Sequence, residues 1–328
     1  MAWKTRSLAY SIGCLTVGLG LSLPAAKAQQ AVETPASMVE ALHAAFGTHH
    51  ARAVHTKGLV FIGKFTPSPD AQAIVKTPIF LGGESSAIVR FSLFAGLPDL
   101  PDNDDGASPT GMGIKIKAAD GDDFDLEVNQ HRDFITATFD EFAVLLRAIG
   151  EAGKGDTAPL EKFLADHPHA REFLASRTYP ASYAEAKYFG VNAVKLTNTA
   201  GAAVYARYQL IPRAREHYLT TDERKVKSAT YLHDEVLERV KHTPIVFDWY
   251  AQIAEPSDVV TDPSIAWPDT RRLVKLGTVT ITGQPPDPLA VDKSLLLLPG
   301  QPHDGVEPAD PMLVLRNEAY PISFGERQ

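Results

Sequence analysis

The sequence predicts an α+β protein, an antiparallel β-barrel of about eight strands with helices around it. Three observations lead to this fold class. Short segments that are apolar, or that alternate apolar with polar residues, recur along the chain and are separated by turn residues. Segments with helical periodicity lie between them, and some begin with capping residues. The sequence has neither an internal repeat nor a Walker or Rossmann glycine pattern, and we expect one domain.

The first 28 residues are predicted to form a secretory signal peptide. Lys4 and Arg6 precede an apolar run over 8–23, and an Ala-x-Ala motif ends at Ala28. The run is short for a membrane span, and an uncleaved anchor is the alternative interpretation. We therefore expect an exported, periplasmic protein that consists of residues 29–328 after cleavage. The one cysteine of the sequence lies in the predicted signal, so we expect no disulfide bond.

The charge of the chain argues against one class of partner. The net charge is −8 at pH 7, and the basic residues Lys4, Arg6 and Lys27 lie in the predicted signal, so the remaining chain is more acidic still. Nucleic-acid binding needs a basic surface. We therefore expect no nucleic-acid partner, and no stable association with a membrane after cleavage of the signal.

Three helices are predicted from their periodicity and their first residues. Ser37 and Glu40 form a capping box before the first helix, and Thr138 and Glu141 form one before the second. The third carries many charged residues on its outer face. The three predicted segments are 38–46, 139–149 and 221–240.

Eight segments have the composition or the alternation of strands. β-Branched and aromatic residues dominate most of them, and a short turn with Gly121 joins two that alternate. The predicted strands are 58–65, 86–94, 113–117, 124–128, 190–196, 203–210, 245–253 and 273–282. For 245–253 a helix is the alternative.

A further short helix is predicted between Pro311 and Pro321, because proline suits the first turn of a helix and stops its continuation. Arg316 and Tyr320 are four residues apart and therefore lie on one face of that helix. A guanidinium group beside a phenol favours the phenolate, which can bind iron. Alone, such a pair is more often an ordinary surface pair.

Two upstream segments make this pair more informative. Residues 52–58 are Arg-Ala-Val-His-Thr-Lys-Gly, and residues 89–92 are Val-Arg-Phe-Ser. Together with the C-terminal arginine and tyrosine, they resemble the motifs of the catalase family, in the same order and with the same internal spacing. The resemblance covers about 44–327, and its C-terminal part is most similar to the short catalase-related peroxidases. It implies that residues 29–328 form a catalase-like haem-binding domain.

The resemblance implies roles for five residues around a bound haem b. Tyr320 is the predicted iron ligand, and Arg316 is its charged partner. His55 is the predicted base that moves a peroxide proton, and Ser92 is the partner that fixes its tautomer. Asn129 takes the place of the family's distal asparagine when Asp-Leu-Glu-Val-Asn is aligned without gaps. The chain has valine where the family has glycine before this asparagine, and a one-residue shift would turn the side chain to the other face of the strand.

Four more residues are implied to contact the haem. Arg52, Arg90 and Arg327 match arginines that hold the haem propionates, since two partly buried carboxylates need cationic donors. Phe142 matches an aromatic residue near the haem face. An alternative interpretation is a metal site formed by histidines near residue 50, although their spacing fits no zinc pattern.

Three functions are compatible with these predictions. The favoured one is a haem peroxidase that reduces organic peroxides, hydrogen peroxide or both, with a small organic electron donor and weak catalase activity at most. The short chain should leave less covering over the haem, which favours larger peroxides. The second function is a lipid-hydroperoxide-rearranging enzyme on the same fold, and the third is a haem carrier without enzymatic activity. The sequence does not indicate an oligomeric state.

Overall fold

Ten β-strands form one antiparallel sheet in the computed structural model, which describes residues 32–328. They are β1 (Gly58–Pro67), β2 (Ser85–Leu93), β3 (Thr110–Ile116), β4 (Phe124–Asn129), β5 (Tyr188–Phe189), β6 (Val194–Thr197), β7 (Ala203–Pro212), β8 (Ile245–Ile253), β9 (Leu273–Gly283) and β10 (Val306–Pro308). The α-helices are α1 (Pro35–Phe46), α2 (Pro78–Leu81), α3 (Phe139–Gly153), α4 (Ala158–Asp166), α5 (Pro168–Ala175), α6 (Thr221–Lys225), α7 (Tyr231–His242), α8 (Pro288–Ser294) and α9 (Pro311–Glu326).

Eight of these strands close into a barrel. Neighbours pair in the order β7, β5, β4, β3, β2, β1, β9 and β8, and β8 pairs again with β7 to close the ring. β6 and β10 extend the sheet beyond β7. The predicted antiparallel barrel of about eight strands with surrounding helices is therefore confirmed.

Large apolar side chains fill the inside of the barrel. Phe61, Phe65, Phe91, Phe247 and Trp249 are completely buried there. The rings of Phe65 and Trp249 meet edge to face, with centroids 5.4 Å apart. Successive side chains of a strand point to opposite faces, so the residues next to these point out of the barrel.

The outward-pointing residues of β2, β3 and β4 form two rows across the strands. In each row, a residue of β2 and a residue of β4 both pair with a glycine of β3. The first row is Arg90, Gly113 and Glu127, and the second is Ser92, Gly111 and Asn129. The glycines leave a trough between two lines of polar side chains.

Helices α1, α3 and α9 pack together beside this outer face. Their apolar residues form one buried cluster, which includes Met38 of α1, Ala143 of α3 and Ala319 of α9. Ala53, from the loop before β1, belongs to the same cluster. The cluster fixes α9 relative to the barrel, and with it the side chains of the predicted iron-binding helix.

The C-terminal helix differs from its prediction. α9 begins where expected but continues through Pro321 instead of ending there. A proline inside a helix removes one backbone hydrogen bond, and contacts to other segments offset that loss here. Ser323 Oγ accepts the backbone N–H of Ala53 at 3.2 Å, and Arg327 donates to the carbonyl of Leu295 at 2.7 Å.

Helix α1 begins earlier than predicted, because a different capping box is formed. Thr34 is its N-cap, and Ser37 takes the third helical position that completes the box, so Glu40 has no part in it. For α3 only half of the predicted box is formed. The hydroxyl of Thr138 accepts the backbone N–H of Glu141 at 3.1 Å, but the Glu141 carboxylate accepts the N–H of Ala137 at 3.0 Å instead of that of Thr138. That helix runs beyond its predicted end.

Other predictions concern the length of segments. The single helix predicted over 221–240 is two helices, α6 and α7.

Within residues 32–328, no helix is long and apolar enough to cross a membrane. The predicted signal peptide over 1–28 lies outside the described residues. Residues Glu33–Gln328 form one compact unit.

Candidate active site

A cavity lies between the outer face of β2–β4 and helices α1, α3 and α9. It brings together all nine residues that the sequence nominated, although they come from the loop before β1, two strands, two helices and the position after α9. They are Arg52, His55, Arg90, Ser92, Asn129, Phe142, Arg316, Tyr320 and Arg327. Their shared position is a property of the fold, and the roles assigned to them stay predictions.

His55 is held at one wall of the cavity by contacts on several sides. Its backbone N–H donates to the carbonyl of Phe94 at 2.8 Å, and its ring meets the Phe94 ring edge to face at 5.2 Å. Its Nδ1 lies 2.9 Å from Ser92 Oγ. The residue adopts a positive φ of 57°, in the left-handed region that few residues with a side chain occupy. Because Nδ1 is engaged by Ser92, the other ring nitrogen, Nε2, is the one available to a substrate.

The electrostatic surroundings keep His55 neutral. Burial is the largest cause, and the charges of Arg90 and Arg316 add to it; together they lower the pKa of His55 from about 6.5 to about 3. The surface that the ring retains lines the cavity. The imidazole is therefore unprotonated over most of the pH range, with the lone pair of Nε2 free.

Gly111 gives the imidazole its room. A Cβ atom at this position would lie 2.7 Å from His55 Cε1 and 3.0 Å from Nδ1, which is closer than side chains tolerate. In the neighbouring row, a Cβ at Gly113 would lie 2.4 Å from a methyl carbon of Leu297. The two glycines of β3 therefore leave room for the His55 ring and for the Leu297 side chain.

Asn129 lines the cavity, as the ungapped alignment predicts. Its Oδ1 accepts the backbone N–H of His131 at 2.7 Å. Its Nδ2 has no hydrogen-bond partner in the described part of the chain, so it is a donor that a ligand can use. The preceding Val128 is 5% exposed and packs in the barrel core, which explains how a valine is tolerated beside the asparagine.

Tyr320 and Arg316 face this wall from α9. Arg316 donates to Tyr320 Oη from Nε at 3.0 Å and from a terminal nitrogen at 2.6 Å. Tyr320 in turn donates to Glu127 Oε2 at 2.7 Å, and Arg316 donates to the same oxygen at 3.1 Å. The four-residue spacing thus produces the predicted pair, and a third, unpredicted residue joins it.

Arg316 favours the predicted phenolate of Tyr320, and burial opposes it. Burial is the largest influence and raises the pKa of Tyr320 well above its ordinary value; Arg316 lowers it, and Glu127 raises it again. In this arrangement Tyr320 is a neutral phenol that donates to a carboxylate. A cation at Oη would be needed to tip the balance to the phenolate.

Glu127 is a site residue that the sequence argument missed. A signal for it was present, because Glu127 and Asn129 are two residues apart in one strand and therefore share a face. If Asn129 faces the cavity, Glu127 faces it as well, because both lie on the same face of β4.

Arg52, Arg90 and Arg327 gather near one carboxylate, that of Asp292 on α8. Asp292 Oδ1 accepts from Arg52 at 2.8 Å and from Arg90 Nε at 2.6 Å. Arg52 and Arg327 also donate to the carbonyl of Leu295. Burial and the charge of Arg52 lower the pKa of Arg327 to about 10. Three guanidinium groups near one carboxylate leave an excess of positive charge, which favours an anionic ligand.

The arginines differ in how far the protein already uses them. Arg90 also donates to the backbone carbonyls of His55 at 2.8 Å and Thr56 at 3.1 Å, so it holds the loop before β1. Arg327 Nε is buried without a hydrogen-bond partner among the described residues. Arg327 is therefore the arginine with most left to offer a bound carboxylate.

Phe142 and other apolar side chains form the remaining wall. The Phe142 ring lies 6.4 Å from that of Phe94 and 5.0 Å from that of Phe134. Met38, Val39, Leu42, Phe139 and Met312 line the same side. An apolar cavity with a phenol, an imidazole and cationic donors at its edges suits a flat, largely apolar ligand with carboxylate groups.

The residues present therefore fit a haem. Tyr320 offers an oxygen ligand on one wall, His55 offers a base on the other, and the arginines offer partners for two propionates. The histidines near residue 50 do not form an alternative metal site. His43 pairs with Glu326 at 2.8 Å and His49 with the carbonyl of Phe46 at 2.6 Å, so these side chains point to different partners.

The protein is an antiparallel barrel with a candidate site between the outer face of β2–β4 and α9. A family model described as Catalase matches residues 42–327. A catalase-related peroxidase of Synechococcus elongatus is 31% identical, over 100% of this chain and 96% of its own. One of Mycolicibacterium paratuberculosis is 34% identical, over 88% of this chain and 93% of its own. The chain therefore belongs to the catalase family, and the predicted resemblance is confirmed.

Solved catalases share the fold at lower identity. A fungal catalase superposes with a TM-score of 0.75 at 21% identity, over 84% of this chain and 59% of that one. Catalase A from Saccharomyces cerevisiae gives 0.74 at 19% identity, over 84% and 61%. A bacterial catalase gives 0.75 at 20% identity, over 98% and 68%. The chain spans about three fifths of the length of the first two.

Proposed function

We propose that this protein is a haem-dependent peroxidase that reduces organic hydroperoxides, hydrogen peroxide or both, using a small organic electron donor. The observation that carries the proposal is the arrangement of two walls across one cavity. His55, neutral and oriented by Ser92, lies on the barrel wall, and the Arg316–Tyr320 pair lies on the facing helix. The names of the two catalase-related peroxidases support the same reaction class.

In the proposed mechanism, Tyr320 Oη would be the ligand of the haem iron, and Arg316 would hold that oxygen. Arg52 and Arg327 would bind the propionates of a haem b, and Phe142 would pack near its face. The haem, when bound, supplies the redox chemistry. The family membership of the chain supports this cofactor, since catalases carry a haem with a tyrosine ligand.

The side chains of the barrel wall handle the peroxide and its proton. His55 Nε2 takes the proton of the hydroperoxide and returns it to the departing oxygen, which leaves as alcohol or water. The Ser92 hydroxyl holds Nδ1 and keeps Nε2 in position. Asn129 Nδ2 donates a hydrogen bond that orients the peroxide.

The lining of the cavity supports organic peroxides as substrates. Met38, Leu42, Phe134 and Phe139 form an apolar approach on the helix side, where alkyl or aryl groups gain from leaving water. We propose that catalase activity is weak at most. The signal peptide predicted over 1–28 is the ground for the further proposal that the enzyme works outside the cytoplasm after removal of these residues.

The test is absorption spectroscopy of the purified haem-loaded protein, followed by stopped-flow mixing with hydrogen peroxide and with cumene hydroperoxide. We expect a ferric spectrum that changes on mixing and recovers when a donor is added. The His55→Ala variant should keep its haem and lose this reaction, by roughly 100-fold or more. A variant that reacted at the wild-type rate would refute the role of His55.

Product analysis with a lipid hydroperoxide decides between the favoured function and its nearest alternative. Reduction gives the alcohol and consumes donor, whereas rearrangement gives an isomer and consumes none. A haem spectrum inert to both peroxides would instead favour a carrier.

A further inference from the structure

The arginine cluster borders a second cavity as well as the first. Arg52, Arg90 and Arg327 line both, so their guanidinium groups form the partition between them. His50, Ala51, Thr56, Leu289, Asp292 and Lys293 complete the lining of the second cavity. No role has been given to this space, because the first cavity accounts for the peroxide and the haem.

The second cavity has an excess of positive charge. Its permanent cations are Arg52, Arg90, Arg327 and Lys293, and its one carboxylate, that of Asp292, already accepts from two of the arginines. The chain as a whole is acidic, with a net charge of −8. A local excess of cations in an acidic protein attracts a small anion and favours its approach.

Lys293 is the cation of this cavity that has no partner among the described side chains and no assigned contact with a haem. It follows Asp292 on α8, is exposed, and its Nζ makes neither a hydrogen bond nor an ion pair within the described residues. Its backbone carbonyl accepts from the side chain of Gln328 at 3.0 Å, which ties this end of α8 to the end of α9. After two propionates have offset the arginines, Lys293 still carries a charge at the rim.

We propose that the second cavity binds the electron donor, and that this donor is a small organic molecule with a carboxylate group. The inference rests on the proposed peroxidase function and adds the chemical class of the reductant. Lys293 binds the carboxylate at the rim, and the arginines that line both cavities separate the donor from the haem propionates. Peroxide and donor then enter by different cavities and do not compete for one site.

The overall reaction balances with a phenol as the donor. One hydroperoxide, ROOH, and two phenols, ArOH, give one alcohol, ROH, one water and two phenoxyl radicals, ArO•. Each phenol loses one electron and one proton, and the O–O bond of the peroxide takes up both electrons and both protons.

The test compares two phenols of nearly the same shape, 4-hydroxyphenylacetate with a carboxylate and tyramine with an ammonium group. Steady-state kinetics are measured for the haem-loaded wild type and for Lys293→Ala and Lys293→Glu. Lys227→Glu is the control, since Lys227 is also an exposed lysine but lines neither cavity. Equilibrium dialysis of 4-hydroxyphenylacetate against the resting proteins gives a second readout that needs no turnover.

We expect a lower KM for 4-hydroxyphenylacetate than for tyramine in the wild type. Lys293→Ala should raise the KM and the dissociation constant for the acid by about threefold, with kcat unchanged, because one exposed charge contributes modestly. Lys293→Glu should raise both further and lower the KM for tyramine, while Lys227→Glu changes neither.

Equal affinity for the acid in wild type and both Lys293 variants would overturn the inference, as would the same change in the control. These outcomes differ from failure of the proposed function, in which neither phenol is oxidised with either peroxide. Dialysis tests the binding site even in that case.

Discussion

The two faces of strands β2, β3 and β4 differ in the polarity and in the size of their side chains. The inner face carries large apolar residues such as Phe91, Ile114 and Leu126, all at most 3% exposed. The outer face of the same strands carries Arg90, Ser92, Glu127 and Asn129, separated by two glycines. One face is filled by its own side chains, and the other leaves space for a ligand.

This difference shows that the barrel holds the polar side chains of the candidate site on its outer face, and not in its interior. Phe91 lies between Arg90 and Ser92 in the chain, and its burial in the core fixes the backbone from which both polar side chains project. Each outer residue is thus held by inner neighbours and by strand pairing. A rigid support of this kind keeps a base and its partner within hydrogen-bonding distance.

The largest effect is expected on the helix that faces the strands. Tyr320→Phe removes the predicted iron ligand, so the variant should lose most of its haem. The loss should exceed the roughly 10- to 100-fold that removal of an outer hydrogen-bonding partner costs a metal site. The measurement is the haem-to-protein ratio after reconstitution and gel filtration. Tyr205→Phe, at an exposed position on β7, is the control, and equal haem content in all three proteins would exclude Tyr320 as the ligand.

The next largest effect is expected from filling the trough on the outer face. Gly111→Ala places a Cβ 2.7 Å from His55 Cε1, so the imidazole must move. A displacement of about 1 Å costs roughly 100-fold in the rate of peroxide reaction. Gly283→Ala is the matched control, because a Cβ at that strand glycine meets no atom within 4 Å. If Gly111→Ala reacts as fast as Gly283→Ala, the trough has no role in placing the base.

A smaller effect is expected from Ser92→Ala, which leaves His55 in place but removes the partner of Nδ1 at 2.9 Å. The rate of reaction with peroxide should fall by about tenfold, with haem content unchanged. Ser86→Ala, on the same face of β2 and exposed, serves as the control. Stopped-flow rates at several peroxide concentrations check the prediction, and a wild-type rate would show that the loop alone orients the ring.

The smallest effect is expected from moderate acid. The pKa of His55 is lowered from about 6.5 to about 3, mainly by burial, so the base stays unprotonated until the pH approaches 3. The rate of peroxide reaction, measured by pH-jump stopped flow, should be flat from pH 7 to about 4.5. An acid limb near pH 6.5 would show that His55 is open to solvent.

The same shift predicts how acid affects folding. The unfolded chain binds a proton at His55 below about pH 6.5, whereas the native state does so only near pH 3. The free energy of unfolding should therefore fall as the pH falls through this window. Urea unfolding of wild type and His55→Ala at pH 7 and pH 5 measures this, and the variant should lose less stability on acidification.

Much of the outer face could be predicted from the sequence, because it depends on local alternation and on short motifs. Ser92 and Arg90 share a face by their spacing in one strand, and Arg316 and Tyr320 share one by their spacing in a helix. The same rule places Glu127 with Asn129, and applying it would have added the carboxylate that accepts from Tyr320.

The rest depends on contacts between distant segments, for which one sequence has no local signal. Asp292 meets Arg52 and Arg90 across 240 and 202 residues of chain. Pro321 is a helix breaker by its chemistry, yet tertiary contacts of Ser323 and Arg327 carry α9 past it. The state of Tyr320 likewise depends on burial, which reverses the direction expected from Arg316 alone.

We propose that a haem binds between the outer face of β2–β4 and α9, with Tyr320 as the ligand of its iron. Resonance Raman spectroscopy of the haem-loaded protein, grown with ordinary or ring-deuterated tyrosine, reports on this bond. We expect bands of an iron-bound tyrosinate that shift with deuteration and disappear in Tyr320→Phe. A spectrum without such bands, or with bands that persist in Tyr320→Phe, would show that Tyr320 is not the ligand.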